Sequence, residues 1–295
     1  EVLVGPQVGE DAAAIRLPAG VLVAATDPIT MTGSEVGAHA VHINANDVAV
    51  TGVRPRWFLA SVMLPSGTTE ADVTNLFDSM CEALQLLDVA LVGGHTEVTP
   101  AVNQALVVGQ MLGFSETGRT VSTGGLRAGD YVVQIGVAPV EGAAILANGL
   151  GDRLAALPPA TLQLARDAIR TPGISVVDAA LYATQLGATA LHDPTESGLS
   201  GGLYEMAHAA GVRIQLDPDA VLWFAPGVAV CEALDVNPWG LLASGTVLAG
   251  FAAESWATAS QGLTRAGHTN AVIGRAVDGV GVTLPGTDAL EQFPR

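Results

Sequence analysis

The sequence contains no lysine, and all twelve of its basic residues are arginine. A chain without lysine has neither the lysine of a P-loop nor a lysine that forms a Schiff base with a substrate. If the protein binds phosphate groups, they must be held by arginine, by backbone N–H groups or by a divalent cation on acidic side chains.

Positive charge is also scarce overall. Twenty-nine acidic residues against twelve basic ones give a formal net charge of −17. A surface with this much negative charge repels nucleic acid and anionic membranes. Neither is therefore predicted as a partner. No apolar run reaches the roughly 18 residues that a membrane-spanning helix needs.

Cysteine is nearly absent. Cys81 and Cys231 stand far apart in the sequence, which indicates a reduced, cytoplasmic setting rather than a disulfide framework. We expect no secretory signal peptide. The chain begins EVLVGPQVGEDAA without an initiator methionine, so we expect that a segment precedes it.

Hydrophobic residues are abundant, at 49% of the 295 residues against 14% charged. This length and composition suit two domains with sizeable cores. Mixed strand and helix patterns predict α/β-type domains, with a boundary in the Gly-rich stretch 115–130. We assign 1–118 to the first domain and 119–295 to the second.

Strands are predicted at 21–25, 57–65, 89–92, 105–114, 131–137, 212–216, 245–251 and 270–277, and helices at 34–52, 69–87, 140–149, 160–170, 174–187 and 198–210. The strand at 89–92 is expected to break at Gly93-Gly94.

One predicted helix carries an unusual polar stripe. Ser34 is placed to N-cap it and Gly52 to end it. Asn44, Asp47 and Thr51 recur at i, i+3 and i+7, so in a helix they share one face of an otherwise apolar segment. A buried carboxylate costs free energy unless it is paired or metal-bound, which points to a functional role for Asp47.

Four aspartates share one local setting, a Gly-, Pro- or Asn-rich turn where a strand or helix ends. They are Asp11 in VGEDAA, Asp27 in ATDPIT, Asp47 in NANDVAVTG and Asp193 in LHDPTESG. Such acids can bind Mg²⁺ together with substrate phosphates. For each aspartate alone, capping of a turn or solvation is the simpler interpretation. Asp47 differs because Asn44 and Asn46 flank it.

Two glycine-rich stretches offer anion sites. In GGHTEV, Gly93 and Gly94 let backbone N–H groups approach an anion, while Thr96 and Glu97 add a hydroxyl and a carboxylate; an ordinary turn is the alternative. His95 is either a structural hydrogen-bonding group or a catalytic one.

The second stretch is HDPTESGLSGGLYEMAHAAG, where Thr195 or Ser197 can N-cap a helix. Gly198, Gly201 and Gly202 leave its first turns bare. Those turns could hold a phosphate on N–H groups, or the glycines could serve close helix packing.

Taken in order, several motifs resemble the aminoimidazole ribonucleotide (AIR) synthetase superfamily over nearly the whole chain. They are VGEDAA, TDPIT, NANDVAVTGVRPRW, LVGGHTEVTP, VEGAAILA, LHDPTESGLSGGLYEMA and LLASGTVLAG. That superfamily includes the hydrogenase-maturation carbamoyl dehydratase, selenophosphate synthetase and thiamine-monophosphate kinase. The sequence is most similar to AIR synthase-related proteins near the hydrogenase-maturation branch.

This resemblance implies a PurM-like α/β fold, with an N-terminal domain that forms a dimeric β-barrel and a C-terminal α/β sandwich. It implies a homodimer that binds ATP in the cleft between its domains and uses Mg²⁺ to phosphorylate or activate an oxygen of a small substrate. The implied metal ligands are Asp11, Asp27, Asp47 and Asp193. The implied catalytic residues are Asp47, Asp193 and His95, and the implied nucleotide-binding residues are Asn44, Asn46, Gly93, Gly94, Thr96, Glu97 and Gly198.

Three features depart from the superfamily pattern. The lysine often carried by its N-terminal loop is absent, as is the nucleophilic cysteine or selenocysteine of selenophosphate synthetase. The C-terminal stretch GTDALEQFPR lacks the substrate-carrying cysteine of the hydrogenase-maturation enzyme. An ATP-binding accessory or maturation factor with little turnover is therefore the alternative to an enzyme. A structural dimer that binds no nucleotide is the third possibility.

Overall fold

The computed structural model describes residues 2–5, 8–30 and 35–284. The predicted N-cap Ser34 and the C-terminal stretch 286–295 lie outside these residues. The chain forms two units, and each contains both α-helices and β-strands. Among the described residues, unit 1 comprises 2–5, 11–30 and 35–120. Unit 2 comprises 8–10 and 121–284.

Unit 1 is a six-stranded sheet with two helices. Its elements are β1 (Val2–Val4), β2 (Ala13–Leu17), β3 (Gly20–Ile29), α1 (Val36–Val50), β4 (Pro55–Leu64), α2 (Glu70–Leu87), β5 (Ala90–Val98) and β6 (Leu106–Ser115). The strand order is β1-β2-β3-β6-β4-β5. All neighbouring pairs are antiparallel except β4 and β5, which run parallel.

Helix α1 is buried on every side. Thirteen of its 15 residues are buried, because it contacts the sheet through β3 and β6 and also packs against α2. The α1–α2 contact is close at Gly37, where a Cβ atom would lie 2.2 Å from the carbonyl oxygen of Leu76. Helix α2 begins at a capping box in which the Thr69 hydroxyl accepts from the Asp72 N–H and the Asp72 carboxylate accepts from the Thr69 N–H.

The predicted break at Gly93-Gly94 is wrong, because β5 continues through both glycines as an edge strand. The pairing with β4 shifts by one residue between Phe58 and Leu59, which is a β-bulge. A Cβ atom on Gly94 would lie 2.1 Å from the carbonyl oxygen of Ala60. Gly94 therefore serves the close approach of two strands and not a turn.

Unit 2 is a second six-stranded sheet with six helices. Its elements are β7 (Tyr131–Ile135), α3 (Glu141–Gly149), α4 (Pro159–Arg166), α5 (Val177–Gln185), β8 (Ala190–His192), α6 (Gly198–Ala210), β9 (Arg213–Leu216), α7 (Ala225–Leu234), β10 (Val247–Phe251), α8 (Ala253–Arg265), β11 (Asn270–Val277) and β12 (Gly281–Thr283). The strand order is β12-β9-β11-β7-β10-β8. One core cluster joins the sheet to the inner face of α6 through Leu199, Leu203 and Met206. No helix of the described residues has the length and apolar character that crossing a membrane requires.

The predicted helix over 160–170 is shorter than expected. Helix α4 ends at Arg166, and an irregular turn occupies Ile169–Gly173. Thr171 is extended there, with φ −148° and ψ 107°, as expected for a residue before a proline. Pro172 therefore ends the helical run early.

Two histidines lie in α1, of which His39 is buried and His42 partly buried. Burial, with a smaller contribution from the neighbouring His39, lowers the pKa of His42 from 6.5 to about 4. Burial also lowers the pKa of His39. Both side chains are therefore uncharged at neutral pH in the folded protein.

We expect Gly37→Ala to destabilise the protein by about 1–3 kcal/mol, because the new methyl group meets the backbone of α2. Urea unfolding measures the change. Gly149→Ala is the control: it adds a methyl group at the end of α3, where no atom lies within 4 Å, and should be neutral or slightly stabilising. Equal stability of the wild type and Gly37→Ala would contradict this close contact.

We expect the free energy of unfolding to fall as the pH decreases from 6.5 towards 4, because the unfolded chain protonates His42 while the folded chain does not. The contribution of His42 between pH 7 and pH 5 is about 2 kcal/mol. His42→Gln should remove this part of the loss in urea titrations, whereas His208→Gln, at an exposed position, should not. Parallel pH profiles for the wild type and His42→Gln would refute this assignment.

Candidate functional site

The side chain of Asn44 joins α1 to β3 at Asp27. The Asp27 N–H donates to Oδ1 of Asn44 at 2.8 Å, and Nδ2 of Asn44 donates to the Asp27 carbonyl oxygen at 3.3 Å. Nδ2 also donates to the carbonyl oxygen of Ala40 at 2.8 Å. Asn44 is fully buried. Its side-chain amide forms hydrogen bonds with both the N–H and the C=O of Asp27, as the backbone of a neighbouring strand does in a sheet.

The sheet leaves space for this amide at Gly109. Gly109 on β6 is the partner of Asp27 on β3. A Cβ atom at Gly109 would lie 2.3 Å from Nδ2 of Asn44 and 2.8 Å from the ring of Phe58. The absence of a side chain at Gly109 therefore allows Asn44 to reach Asp27.

Asp47 lies one helical turn beyond Asn44 on the same face of α1. Its side chain is 7% exposed, and Asn46 is fully buried. The third member of the predicted polar stripe, Thr51, donates its hydroxyl hydrogen to the Val48 carbonyl oxygen at 2.6 Å and forms the C-cap of α1. The three residues of the stripe thus have different roles. Asn44 bonds to β3, Asp47 is a buried carboxylate and Thr51 caps the helix.

Asp11 precedes β2 by two residues. The first residue of β2, Ala13, pairs with Ala24 in an antiparallel ladder, so the chain before β2 runs towards the part of β3 that holds Asp27. Both Asp11 and Asp27 are partly buried. Unit 1 thus joins the main chain of Asp27 to Asn44, one helical turn from Asp47 on α1, with Asp11 at the same end of the β2–β3 pair.

The predicted Mg²⁺ ligands can be tested against this geometry. Within the part of the chain that the structure describes, no three Asp, Glu, His or Cys side chains are grouped closely enough to hold a metal ion. Asp11, Asp27 and Asp47 therefore do not make an all-protein cation site. Their chemistry does fit Mg²⁺, which commonly takes only one or two carboxylates and completes its shell with phosphate oxygens and water. Their role as ligands stays a prediction.

The GGHTE segment lies apart from Asp27 in unit 1. It is part of β5, and two strands, β6 and β4, separate β5 from β3. At about 4.8 Å for each of three strand spacings, the separation is about 14 Å. Gly93, Gly94, His95, Thr96 and Glu97 are all exposed. His95 and Glu97 share one face, with Nε2 and Oε2 3.6 Å apart. A nucleotide-binding role for this segment also stays a prediction.

In unit 2, Asp193 directly follows β8 and is 3% exposed. The preceding His192 is equally buried, and its Nε2 lies 3.2 Å from Oε2 of Glu205 on α6. This pair fixes the end of β8 against α6, and with it the start of the loop that carries Asp193.

The glycines at the start of α6 are closely packed, Gly198 against backbone and Gly202 against side chains. A Cβ atom on Gly198 would lie 2.5 Å from the Leu241 carbonyl oxygen and 2.6 Å from that of Trp239. A Cβ atom on Gly202 would lie 2.6 Å from Cβ of Pro194. Carbonyl oxygens repel an anion, so these contacts favour the packing alternative over a phosphate site at Gly198.

Glu141, the first residue of α3, is a buried acid that no sequence motif predicted. Its side chain is 4% exposed, although glutamate is almost never so buried without a partner. Burial raises the pKa of its carboxyl group, as does the negative charge of Glu196, while a hydrogen bond with the Ser244 side chain opposes the change. The feature of the sequence that could have indicated Glu141 is its position as a single carboxylate at the start of the apolar helix EGAAILANG.

Known proteins share both the sequence and the fold. Residues 9–115 match the family model described as AIR synthase related protein, N-terminal domain, and residues 127–285 match its C-terminal domain. The carbamoyl dehydratase HypE of Rhodobacter capsulatus is 31% identical over 275 residues, which are 90% of this chain and 78% of that protein. HypE of Cupriavidus necator is 30% identical over 251 residues, or 82% and 68% of the two chains.

A crystal structure of the hydrogenase maturation protein HypE in complex with ATP superposes with a TM-score of 0.75. That structure is 25% identical in sequence, and the match covers 91% of this chain and 80% of that one. The family models together match most of the chain in the order that the motifs predicted. The protein belongs to the AIR synthase related protein family, as its ordered motifs indicated.

Proposed function

We propose that the protein is an ATP- and Mg²⁺-dependent enzyme that phosphorylates or otherwise activates an oxygen atom of a small substrate. The observation that carries this proposal is the double hydrogen bond between Asn44 and the main chain of Asp27. It joins the main chain of Asp27 on β3 to α1, one helical turn before the buried carboxylate of Asp47. The relative solved in complex with ATP supports the choice of nucleotide.

Asp27 and Asp47 would hold the Mg²⁺, and Asp11 and Asp193 are further candidate ligands. When bound, Mg²⁺ neutralises charge on the phosphate oxygens. Asn44 keeps the backbone of Asp27 in place, so the two carboxylates need little rearrangement on binding. Catalysis in such a site consists of positioning and charge neutralisation, which requires no lysine.

We expect Asp47→Asn to reduce the affinity for Mg-ATP at least tenfold while leaving the fold intact, because the amide cannot replace a carboxylate on Mg²⁺. Isothermal titration calorimetry measures the affinity, and circular dichroism checks the fold. Asp78→Asn, at an exposed position of α2, is the matched control and should bind normally.

The same titrations test the proposal as a whole. Mg-ATP at 100 times its dissociation constant should raise the stability of the wild type by about 2.7 kcal/mol. A wild type whose melting temperature is unchanged by Mg-ATP would favour the non-nucleotide alternative. Unaltered binding by Asp47→Asn would remove Asp47 from the site.

An ATP-binding accessory or maturation factor is the second candidate. The chain lacks lysine, and its relatives include a protein named for hydrogenase maturation. Release of ADP separates the candidates, since an enzyme shows robust release that depends on an added small substrate. The two free cysteines suit the cytoplasmic setting proposed for either one.

The exposed edge strand β5 supports the proposed homodimer of N-terminal domains. All nine residues of β5 are exposed, although strands in a parallel pair are usually covered on both faces. Leu91, Val92 and Val98 are 44%, 53% and 59% exposed on this strand. An unpaired apolar edge of this kind is suited to pairing with another strand, and a second copy of β5 would cover it.

We expect Leu91→Arg to weaken dimerisation at least tenfold, because it places a charge within the apolar edge. Sedimentation velocity over a range of concentrations measures the association. Leu86→Arg on α2 is the control, since Leu86 is 80% exposed and does not lie on the edge strand. A wild type that sediments as one chain at micromolar concentration would argue against the dimer.

A further inference from the structure

The chain passes from unit 2 to unit 1 directly before Asp11, one of the proposed Mg²⁺ ligands. Residues 8–10 belong to unit 2, and Asp11 is the first residue of unit 1 after them. One peptide link joins Glu10 to Asp11, so their Cα atoms are about 3.8 Å apart. A contact that holds Glu10 in place therefore limits where the backbone of Asp11 can lie.

The Glu10 carboxylate is held by two donors of unit 2. Its Oε1 accepts from the Ser122 hydroxyl and, at 3.4 Å, from the Gly124 N–H. Ser122 is the N-cap of the short 3₁₀ helix Thr123–Gly125, and its Oγ also accepts from the Gly124 N–H, at 3.1 Å. Hydrogen bonds to a carboxylate are stronger than those between uncharged groups. The Glu10 side chain thus ties the residue before Asp11 to the start of this 3₁₀ helix.

The last turns of α6 pack against both partners of this contact. A Cβ atom on Gly9 would lie 2.8 Å from the carbonyl oxygen of Glu205, and one on Gly124 would lie 2.9 Å from that of Ala209. Gly9 also has a φ of +86°, which residues with a side chain rarely adopt. The segment 8–10 is therefore held on unit 2 by close packing as well as by hydrogen bonds.

The same 3₁₀ helix is bonded to β8, the strand that precedes Asp193. The Thr123 hydroxyl donates to the Leu191 carbonyl oxygen at 3.0 Å, and both residues are buried. A Cβ atom on Gly125 would lie 2.0 Å from the carbonyl oxygen of Thr189, so the 3₁₀ helix lies directly against the chain that enters β8. Glu10 is therefore bonded to a partner that the sheet of unit 2 holds in place.

We propose that Glu10 is a positioning residue for Asp11, and that it increases the affinity for Mg-ATP without contacting the cation. This inference rests on the proposed function, in which Asp11 is a candidate Mg²⁺ ligand. Glu10 acts through the backbone, because its bonds to the 3₁₀ helix order the chain on which Asp11 lies before the cation binds. A ligand that is ordered in advance loses less conformational entropy on binding.

A double-mutant cycle tests this role. Glu10→Ala should weaken Mg-ATP binding about fivefold in isothermal titration calorimetry, because the released segment must be ordered when the ligand binds. In an Asp11→Asn background the same substitution should change the affinity by about twofold or less, since Glu10 then has no carboxylate to position. Glu10→Gln keeps an acceptor oxygen for both donors, so its affinity should stay within about twofold of the wild type.

Ser122→Ala removes the same contact from the other side and keeps the inference testable if Glu10→Ala does not fold. It should reproduce the loss of affinity, and again only while Asp11 is present. The control Glu254→Ala removes an exposed acid from the first turn of α8 and should bind normally. Equal losses with and without Asp11, or a loss in Glu10→Gln as large as that in Glu10→Ala, would overturn the positioning role.

Hydrogen exchange without nucleotide separates this inference from the proposed function. The backbone N–H groups of residues 8–12 should exchange faster in Glu10→Ala and Ser122→Ala than in the wild type, because the contact that protects the segment is lost. Mass spectrometry measures the exchange, and Glu254→Ala should match the wild type. Unchanged exchange would overturn the inference whether or not the wild type binds Mg-ATP. Faster exchange in the two variants, with a wild type that has no affinity for Mg-ATP, would instead overturn the proposed function.

Discussion

The organisation of unit 1 depends on one buried amide. The polar atoms of Asn44 are out of contact with water, and burying them without hydrogen bonds would cost several kcal/mol. The main chain of Asp27 satisfies this requirement, and it is available because β2, which pairs with the earlier part of β3, begins only at Ala13. The Asn44 amide therefore makes the hydrogen bonds to Asp27 that a paired strand would otherwise make. Gly109 is the matching requirement on the opposite strand, since any side chain there would displace Asn44.

Asp47 is a buried carboxylate in a helix whose buried residues are mostly apolar. Helix α1 is covered by the sheet on one side and by α2 on the other, so Asp47 occupies a position where an apolar residue would pack more favourably. Residues that break the rules of core packing commonly mark functional sites. In unit 2 the same reasoning applies to Glu141, whose burial is equally unfavourable for a charged group. The two positions differ in their surroundings, since Asp47 lies one helical turn from Asn44, whereas Glu141 is hydrogen-bonded to Ser244 and its pKa is raised by burial.

Local patterns predicted most regular elements well. Helix α6 and strand β11 have the predicted bounds, because the φ +63° of Gly211 ends the helix and the apolar run in β11 has clear limits. The short strands β1, β2, β8 and β12 were not predicted. The predicted break at Gly93-Gly94 failed because glycine is needed both in turns and where two strands approach closely, and only the partner strand distinguishes the two.

The sequence by itself determined the family, the alternation of strands and helices, and which polar residues interrupt apolar segments. The family follows from the resemblance of the ordered motifs, whereas the other two are properties of neighbours along the chain and follow from side-chain periodicity and capping. Only the tertiary structure decided what each polar residue contacts. It paired Asn44 with the backbone of Asp27 and Thr51 with the end of its own helix, and it favours close packing at Gly198. It also brought Glu141 to Ser244 across a sequence separation that no periodicity spans, because hydrogen bonding and burial depend on distance in space.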